Sequence, residues 1–343
     1  METKRIILFL FLVLVSFSSC AKPAEPIDQI NYLMTKEEFW YTDLTAISPN
    51  LNWIYLINGE KPKILNLRER STQFDIVLGL TQFFGGWSFD SQYFLVFSND
   101  FYSLHLYKKV SLYKFIDGVP VVVNEMKLEE ESLITSAWAP ESNHFALCVD
   151  DKLSIFDENF VEVKSFNLKS HSNLIWSKSG LGFISTDRTD SMEPVFDFHL
   201  FDPFTENASE ASILKNMSGS IPAVSPNKDS IMTSVSHAIP AKSYYFLSSW
   251  PDGRPIEVYR LPHVSDQIIS DGRLFISVAE NLDDSSQPQD ERLWFYVFDW
   301  ETQEFELIGR GTFIADYFPE IDSLLILTKE NGKEIAEFLV LND

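Results

Sequence analysis

The feature that most narrows what this chain can fold into is a motif that returns along nearly its whole length. In its fullest copy, Gly86-Trp87-Ser88-Phe89-Asp90-Ser91-Gln92-Tyr93-Phe94-Leu95-Val96-Phe97, an aromatic residue precedes Ser, a polar turn follows, and then comes a run apolar on both faces. Clear further copies are Ile47-Ser48-Pro49-Asn50 before Trp53-Ile54-Tyr55-Leu56, Trp138-Ala139-Pro140-Glu141 before Phe145-Ala146-Leu147-Cys148, Trp176-Ser177-Lys178 before Phe183-Ile184, and Val224-Ser225-Pro226-Asn227 before Ile231-Met232. Weaker copies are Ser270-Asp271-Gly272 before Leu274-Phe275-Ile276, and Phe318-Pro319-Glu320 before Leu324-Leu325-Ile326-Leu327.

The equivalent positions Ser48, Ser88, Ala139, Ser177, Ser225, Ser270 and Phe318 lie 40, 51, 38, 48, 45 and 48 residues apart. A period of this size built from short strands predicts an all-β fold, a β-propeller of four-stranded blades. Seven copies give seven blades, with six or eight as the alternatives. Inner strands of a blade are covered on both faces and should read as unbroken apolar runs, as Trp53 to Ile57 and Tyr93 to Phe97 do. Outer strands should alternate. Gln303-Glu304-Phe305-Glu306-Leu307-Ile308 does so, with Phe305 and Leu307 predicted to face inward. Asp157, Asp202 and Asp299 each follow an aromatic residue, where a carboxylate can bond the backbone ahead and start a hairpin. Pro251-Asp252-Gly253 is placed to do the same between Tyr245 and Val258.

The motif resembles the WD40-like repeat of TolB-type propellers, whose core reads hydrophobic-Ser-Pro-Asp-Gly-x-x-hydrophobic. Ser48-Pro49-Asn50 and Ser225-Pro226-Asn227 match three of those positions, with Asn for Asp and no Gly following. The resemblance runs from about Thr35 to the C-terminus. It implies an architecture and leaves the activity open, because one fold hosts many functions.

Residues 1–19 read as a signal peptide of the lipoprotein type. Lys4 and Arg5 form its charged start, and Ile6 to Val15 is an apolar run too short to span a bilayer comfortably. Phe17-Ser18-Ser19-Cys20 resembles a bacterial lipobox, which implies lipidation of the Cys20 thiol. Residues 20–27, with Pro23 and Pro26, are then a lipidated tether, and 28–343 the propeller domain. The expected location is outside the cytoplasm, lipid-anchored to a bacterial membrane on its periplasmic or cell-surface side. Ala21 after the lipidated Cys resembles the outer-membrane sorting pattern of Gram-negative lipoproteins. Cys148 falls in an apolar strand as a small hydrophobe, so no disulfide framework is expected.

After Phe318 only two strands remain, about Ser323 to Thr328 and Ile335 to Leu341, which leaves the last blade short of its outermost strand. Gln29 to Met34 is predicted to supply it as an N-terminal strand that closes the ring and covers an otherwise unpaired edge.

The chain carries 27 Lys and Arg against 50 Asp and Glu, a net charge of −23. Removal of residues 1–19, with Lys4, Arg5 and Glu2, leaves −24. Such a surface repels nucleic acid and anionic headgroups. The chain holds no HExxH, G-x-S-x-G or phosphate-binding glycine pattern. His199, two residues after Asp197 on one strand face, reads as part of a solvated outer strand. The loop from Glu280 to Glu291 offers Asp283, Asp284, Asp290 and Glu291 as weak metal candidates, without the order of an EF-hand. No cofactor is expected. Trp87, Trp138 and Trp176 stand at equivalent ends of inner strands, where packing between blades is expected and a ligand-stacking ring is the other use.

The resulting expectation is a lipid-anchored cell-envelope propeller without catalysis, binding an envelope protein or peptide on one face as a scaffold module. One alternative is a metal-dependent lactonase-like or lyase-like propeller enzyme. It needs carboxylates converging from several inner strands, where only Asp43 stands out. The other is a carbohydrate or small-ligand binder using the aromatic face.

Overall fold

Three of the clear copies of the motif make the same tight turn, held by its serine. Ser48 is fully buried. Its hydroxyl donates to Asn50 Oδ1 at 2.9 Å and accepts the Trp53 N–H at 2.9 Å. Ser88 repeats this, donating to Asp90 Oδ1 at 2.8 Å and accepting the Tyr93 N–H at 2.9 Å. Ser225 does so with Asp229 Oδ1 at 3.2 Å and the Ser230 N–H at 3.0 Å. The chain then passes through a left-handed residue at Leu51, Ser91 and Lys228, with φ of 56°, 59° and 59°. The general repeat has Gly at that place, the residue with least steric cost there.

The computed structural model describes residues 25–36, 46–56, 62–69, 72–76, 81–99, 106–168, 174–186, 196–206, 211–217, 222–238, 241–262, 264–270, 272–279, 293–330 and 332–341. They form antiparallel sheets whose strands follow chain order. The first holds β1 (Trp53–Leu56), β2 (Lys63–Asn66) and β3 (Gln73–Asp75), with Ile47 bridged to Ile54. The second has seven strands: β4 (Thr81–Trp87), β5 (Tyr93–Asn99), β6 (Leu106–Ile116), β7 (Val119–Trp138), β8 (Phe145–Val149), β9 (Lys152–Phe156) and β10 (Glu162–Asn167). It is two units joined by β7, whose first part pairs with β6 while Ile134 to Trp138 pairs with β8.

Three four-stranded sheets follow. They are β11 (Leu174–Ser177) to β14 (Ser212–Met217) through β12 (Gly180–Thr186) and β13 (Phe196–Phe201), then β15 (Ala223–Val224) to β18 (Pro255–Pro262) through β16 (Ser230–Ala238) and β17 (Ala241–Ser249), then β19 (Val264–Ser270) to β22 (Glu304–Gly311) through β20 (Arg273–Val278) and β21 (Leu293–Asp299). The last sheet is β23 (Phe313–Phe318), β24 (Ser323–Glu330) and β25 (Lys333–Val340). Divided at β7, the sheets make seven successive units.

The core sits between units rather than within them. On β5, Phe94 and Val96 pack with Trp53, Tyr55 and Ile64 of the first unit. Tyr93, Leu95 and Phe97 point the other way, onto Phe145 and Leu147 of the third. This two-sided covering is why the run is apolar throughout, and all seven residues of β5 are buried. Each remaining junction carries its own apolar cluster, through to Phe275 and Phe295 against Ile314 and Leu324. Full burial of one such side chain is worth about 1.5–3 kcal/mol. The architecture is a β-propeller, as the repeat spacing predicts.

The predicted hairpin carboxylates hold. Asp157 Oδ1 accepts the Asn159 and Val161 N–H groups at 2.9 Å, Asp202 Oδ1 the Phe204 N–H at 2.9 Å, and Asp299 Oδ1 the Glu301 N–H at 2.7 Å. Two expectations need correction. Leu307 was expected to face inward but is 43% exposed. The β21–β22 pairing is regular from Glu304 to Leu307 and shifts only beyond it, so Leu307 shares the side of Phe305 but lies open on the outermost strand, while the bulged Ile308 packs toward the last unit.

The second correction concerns ring closure. Gln29 to Met34 is not a strand but part of a helix, α1 (Pro26–Met34). Pro26 opens it, Asp28 lies in its first turn, and Ile27, Ile30, Leu33 and Met34 recur at helical spacing. The helix nevertheless sits where the strand was expected, on β25. Ile30 and Leu33 fill the cluster between the last unit (Phe318, Leu325, Ala336) and the first (Ile47, Ile54, Leu65). Asn31 replaces a strand partner with its side chain. Its Nδ2 donates to Ala336 O at 2.8 Å and its Oδ1 accepts the Ala336 N–H at 2.7 Å.

Two outcomes follow from these contacts. Ser88→Ala strands the buried Tyr93 N–H and is expected to cost about 1–3 kcal/mol in urea unfolding; an unchanged midpoint would show that the hydroxyl is dispensable. In Asn31→Ala, hydrogen exchange should lose protection at the Ala336 amide first, before the strands of the other units.

Candidate functional site

The serine turns lie together on one face, and neighbours are tied to one another. Asn50 N–H donates to Ser91 Oγ at 3.0 Å, and Asn143 Nδ2 to Asp90 Oδ2 at 2.8 Å. Lys178 Nζ stands 4.0 Å from Glu141 Oε1, and Ser179 Oγ donates to Ser225 O at 3.3 Å. A Cβ placed on Gly272 would come within 3.2 Å of Pro226 Cγ, so these two turns touch. Arg273 Nη1 pairs with Asp322 Oδ1 at 2.8 Å, and Phe318 packs beside Ile47 and Leu51. Among the described residues, each pair of neighbouring units is thus in contact on this face.

The turns surround a cavity of about 660 Å³ that is touched by every unit, from Pro49 in the first to Phe318 in the last. Trp87, Trp138 and Trp176 line it side by side with Phe89 and Tyr317. Trp87 behaves as expected for a core residue: it is buried, and its Nε1 donates to Ala46 O at 2.8 Å. Trp138 and Trp176 are only half-buried, so their faces form wall as well as core. Gly86, with φ of 97°, makes room for Trp138, whose Cδ1 would lie 3.0 Å from an added Cβ. Phe89 is 44% exposed at the cavity.

One carboxyl stands on the innermost strands in this wall. Asp316 lies at a bulge in β23, where the pairing shifts between Ile314 and Asp316. Bulges re-aim side chains in this way. Its Oδ1 accepts the Tyr317 N–H at 2.8 Å. Burial pushes the Asp316 carboxyl up to about 7, against the lowering effect of that N–H. A carboxyl with so raised a value in a cavity marks a candidate site. The remaining charged groups on the lining, Glu141, Lys178 and Glu320, belong to the turns. Asp266, on the innermost strand β19, is also raised by burial and bonds Ser277 Oγ at 3.3 Å, but it does not line this cavity.

Other candidates from the sequence lie elsewhere. His199 on the third strand of its sheet is half-buried rather than solvated, stacked on Phe183 at 4.4 Å and bonded to Ser185 Oγ at 2.8 Å. Burial holds its imidazole below the ordinary value. Cys148 is buried, and desolvation pushes its thiol up to about 12, which keeps it an inert thiol. Residues 1–19, Cys20, Asp43 and the metal candidates Asp283, Asp284, Asp290 and Glu291 lie outside the described residues. Among the described residues, no three His, Cys, Asp or Glu side chains come together as a metal site. Sequence reasoning sought inner-strand carboxylates and missed Asp316. Its one signal was a single acid inside the apolar run Phe313 to Phe318.

The raised value carries a pH signature. The ordinary carboxyl value is 3.8, so the protonated Asp316 contributes stability below about pH 4 that is lost as pH rises through about 7. Asp316→Asn should therefore gain on the wild type between about pH 4 and pH 8 in urea unfolding. A pH-independent difference would place the carboxyl in water.

No family model matches the chain, and no curated protein matches it. Solved structures do. The WD40 domain of Toxoplasma gondii coronin superposes with a TM-score of 0.53 at 13% identity, covering 87% of this chain and 80% of that one. A chain of Kuenenia stuttgartiensis hydrazine synthase superposes with a TM-score of 0.52 at 11% identity, covering 86% of this chain and 95% of that one. At such identities the likeness is one of fold alone. The chain has a β-propeller fold.

Proposed function

We propose that this protein is a lipid-anchored propeller of the cell envelope that binds a protein partner on the face carrying the serine turns, without chemistry of its own. The observation that carries this reading is the half-open aromatic cavity on that face, framed by turns fixed to one another and bearing an exposed Phe89. Rigid scaffolds with recognition at their loops are a common binding design, and exposed aromatic residues beside a concavity are the usual anchors of an interface. The leader ending in Ser18-Ser19-Cys20 supports attachment through the Cys20 thiol. Two or more acyl chains hold a protein on a bilayer where one does so only marginally. The resemblance of the repeat to TolB-type propellers agrees with an envelope role.

A photocrosslinking residue placed in cells at Phe89, and separately at Val340 on the outer strand of the last unit, tests the reading. An adduct of one defined mass from position 89 and none from 340 is expected. Equal labelling from both positions would remove the face assignment. Cys20→Ala should release the protein from the membrane fraction, and retention would remove the anchor.

A further inference from the structure

The cavity has a chemical polarity of its own. Most of its wall is aromatic or aliphatic, with the indoles of Trp87, Trp138 and Trp176 contributed by three consecutive units. Asp316 enters that wall from the last unit, and the Tyr317 N–H is the single hydrogen bond it receives among the described residues. The nearby guanidinium is engaged elsewhere: Arg273 pairs with Asp322 at 2.8 Å and lies over the Tyr317 ring at 5.4 Å. A carboxylate in apolar surroundings is under-solvated, and an incoming cation relieves it. Aromatic faces attract the same cation and accept its apolar stem.

We infer that the cavity is a receptor for an organic cation, an ammonium or guanidinium group on an apolar stem, with Asp316 as counter-ion and the tryptophan faces as its bed. The inference goes beyond partner docking: it names what the cavity holds, and stands whether or not Cys20 carries lipid. Two sources offer this chemistry, a free amine and a Lys or Arg side chain presented by a partner. Charge favours both, since the chain carries a net −23.

Because Asp316 must be ionised to act as counter-ion, cation binding strengthens as pH rises through about 7. The other charged groups around the site are Glu141, Lys178 and Glu320 on the lining, Arg273 and Asp322 beside Tyr317, and His144, which reaches Trp176 through Phe204. His144→Gln is the control variant that isolates Asp316.

Calorimetric titration of the purified full-length protein with phenethylamine, and with its neutral counterpart 2-phenylethanol, tests the inference. At about pH 8 the amine should bind about tenfold more tightly than the alcohol, the effect of one favourable charge contact. The preference should shrink to about twofold or less at about pH 5.5, and also in Asp316→Asn, with His144→Gln behaving as wild type. Should Asp316→Asn melt early, the wild-type pH profile still decides. The peptide acetyl-Phe-Lys-Phe-amide forms a second arm. Tight binding of the peptide alone assigns the cation to a partner's side chain, and equal binding of the amine assigns it to a free ligand. Equal affinity for amine and alcohol, or no binding by amine or peptide, overturns the inference. Crosslinking from Phe89 would then still stand or fall separately.

Discussion

Strands that are apolar on both faces have to be covered on both faces. Phe94 and Leu95 are each fully buried, yet they point in opposite directions, toward different neighbouring units. No unit of this chain can therefore satisfy its own core, and a row of such units would leave two raw faces at its ends. Closing the row into a ring is the solution that covers every face. The size of the repeat, the serine turns gathered on one side and the cavity at their centre all follow from it. The helix Pro26–Met34 belongs to the same logic, because it fills the cleft between the first and last units.

The cavity is where this rule is relaxed. A carboxyl set into an apolar wall with a single hydrogen bond costs stability, since a polar group drawn away from water is penalised. Here Trp138 and Trp176 keep open faces, and Asp316 is turned into the wall by a bulge rather than left to a regular strand. Local departures of this sort tend to mark places where a protein gives up stability for recognition.

Much of the architecture was legible because its signals are local. A serine two residues before an Asn or Asp, or an aromatic before Asp157, Asp202 or Asp299, acts within a few residues of itself, so the turn can be read directly. Runs such as Tyr93 to Phe97 announce two-sided burial. What escaped depends on register or on distant partners. The bulge that turned Asp316 into the wall is set by pairing with the next strand, and the exposure of Leu307 by how little covers an outermost strand. The spacing of Ile27, Ile30 and Leu33 was helical all along, but the need for an edge partner suggested a strand. Asn31 met that need with a side-chain amide, which no periodicity reveals.

The strand β7 makes one boundary of the ring unlike the others. Its 20 residues run without interruption from the outer edge of the second unit to the centre of the third, pairing with β6 over the first part and with β8 from Ile134 to Trp138. At the meeting of the first and last units no strand is shared among the described residues, and the helix Pro26–Met34 packs into the junction, with Asn31 bonded to the last unit. The fastening of that seam is a contact between the two ends of the sequence, since Asn31 and Ala336 stand 305 residues apart.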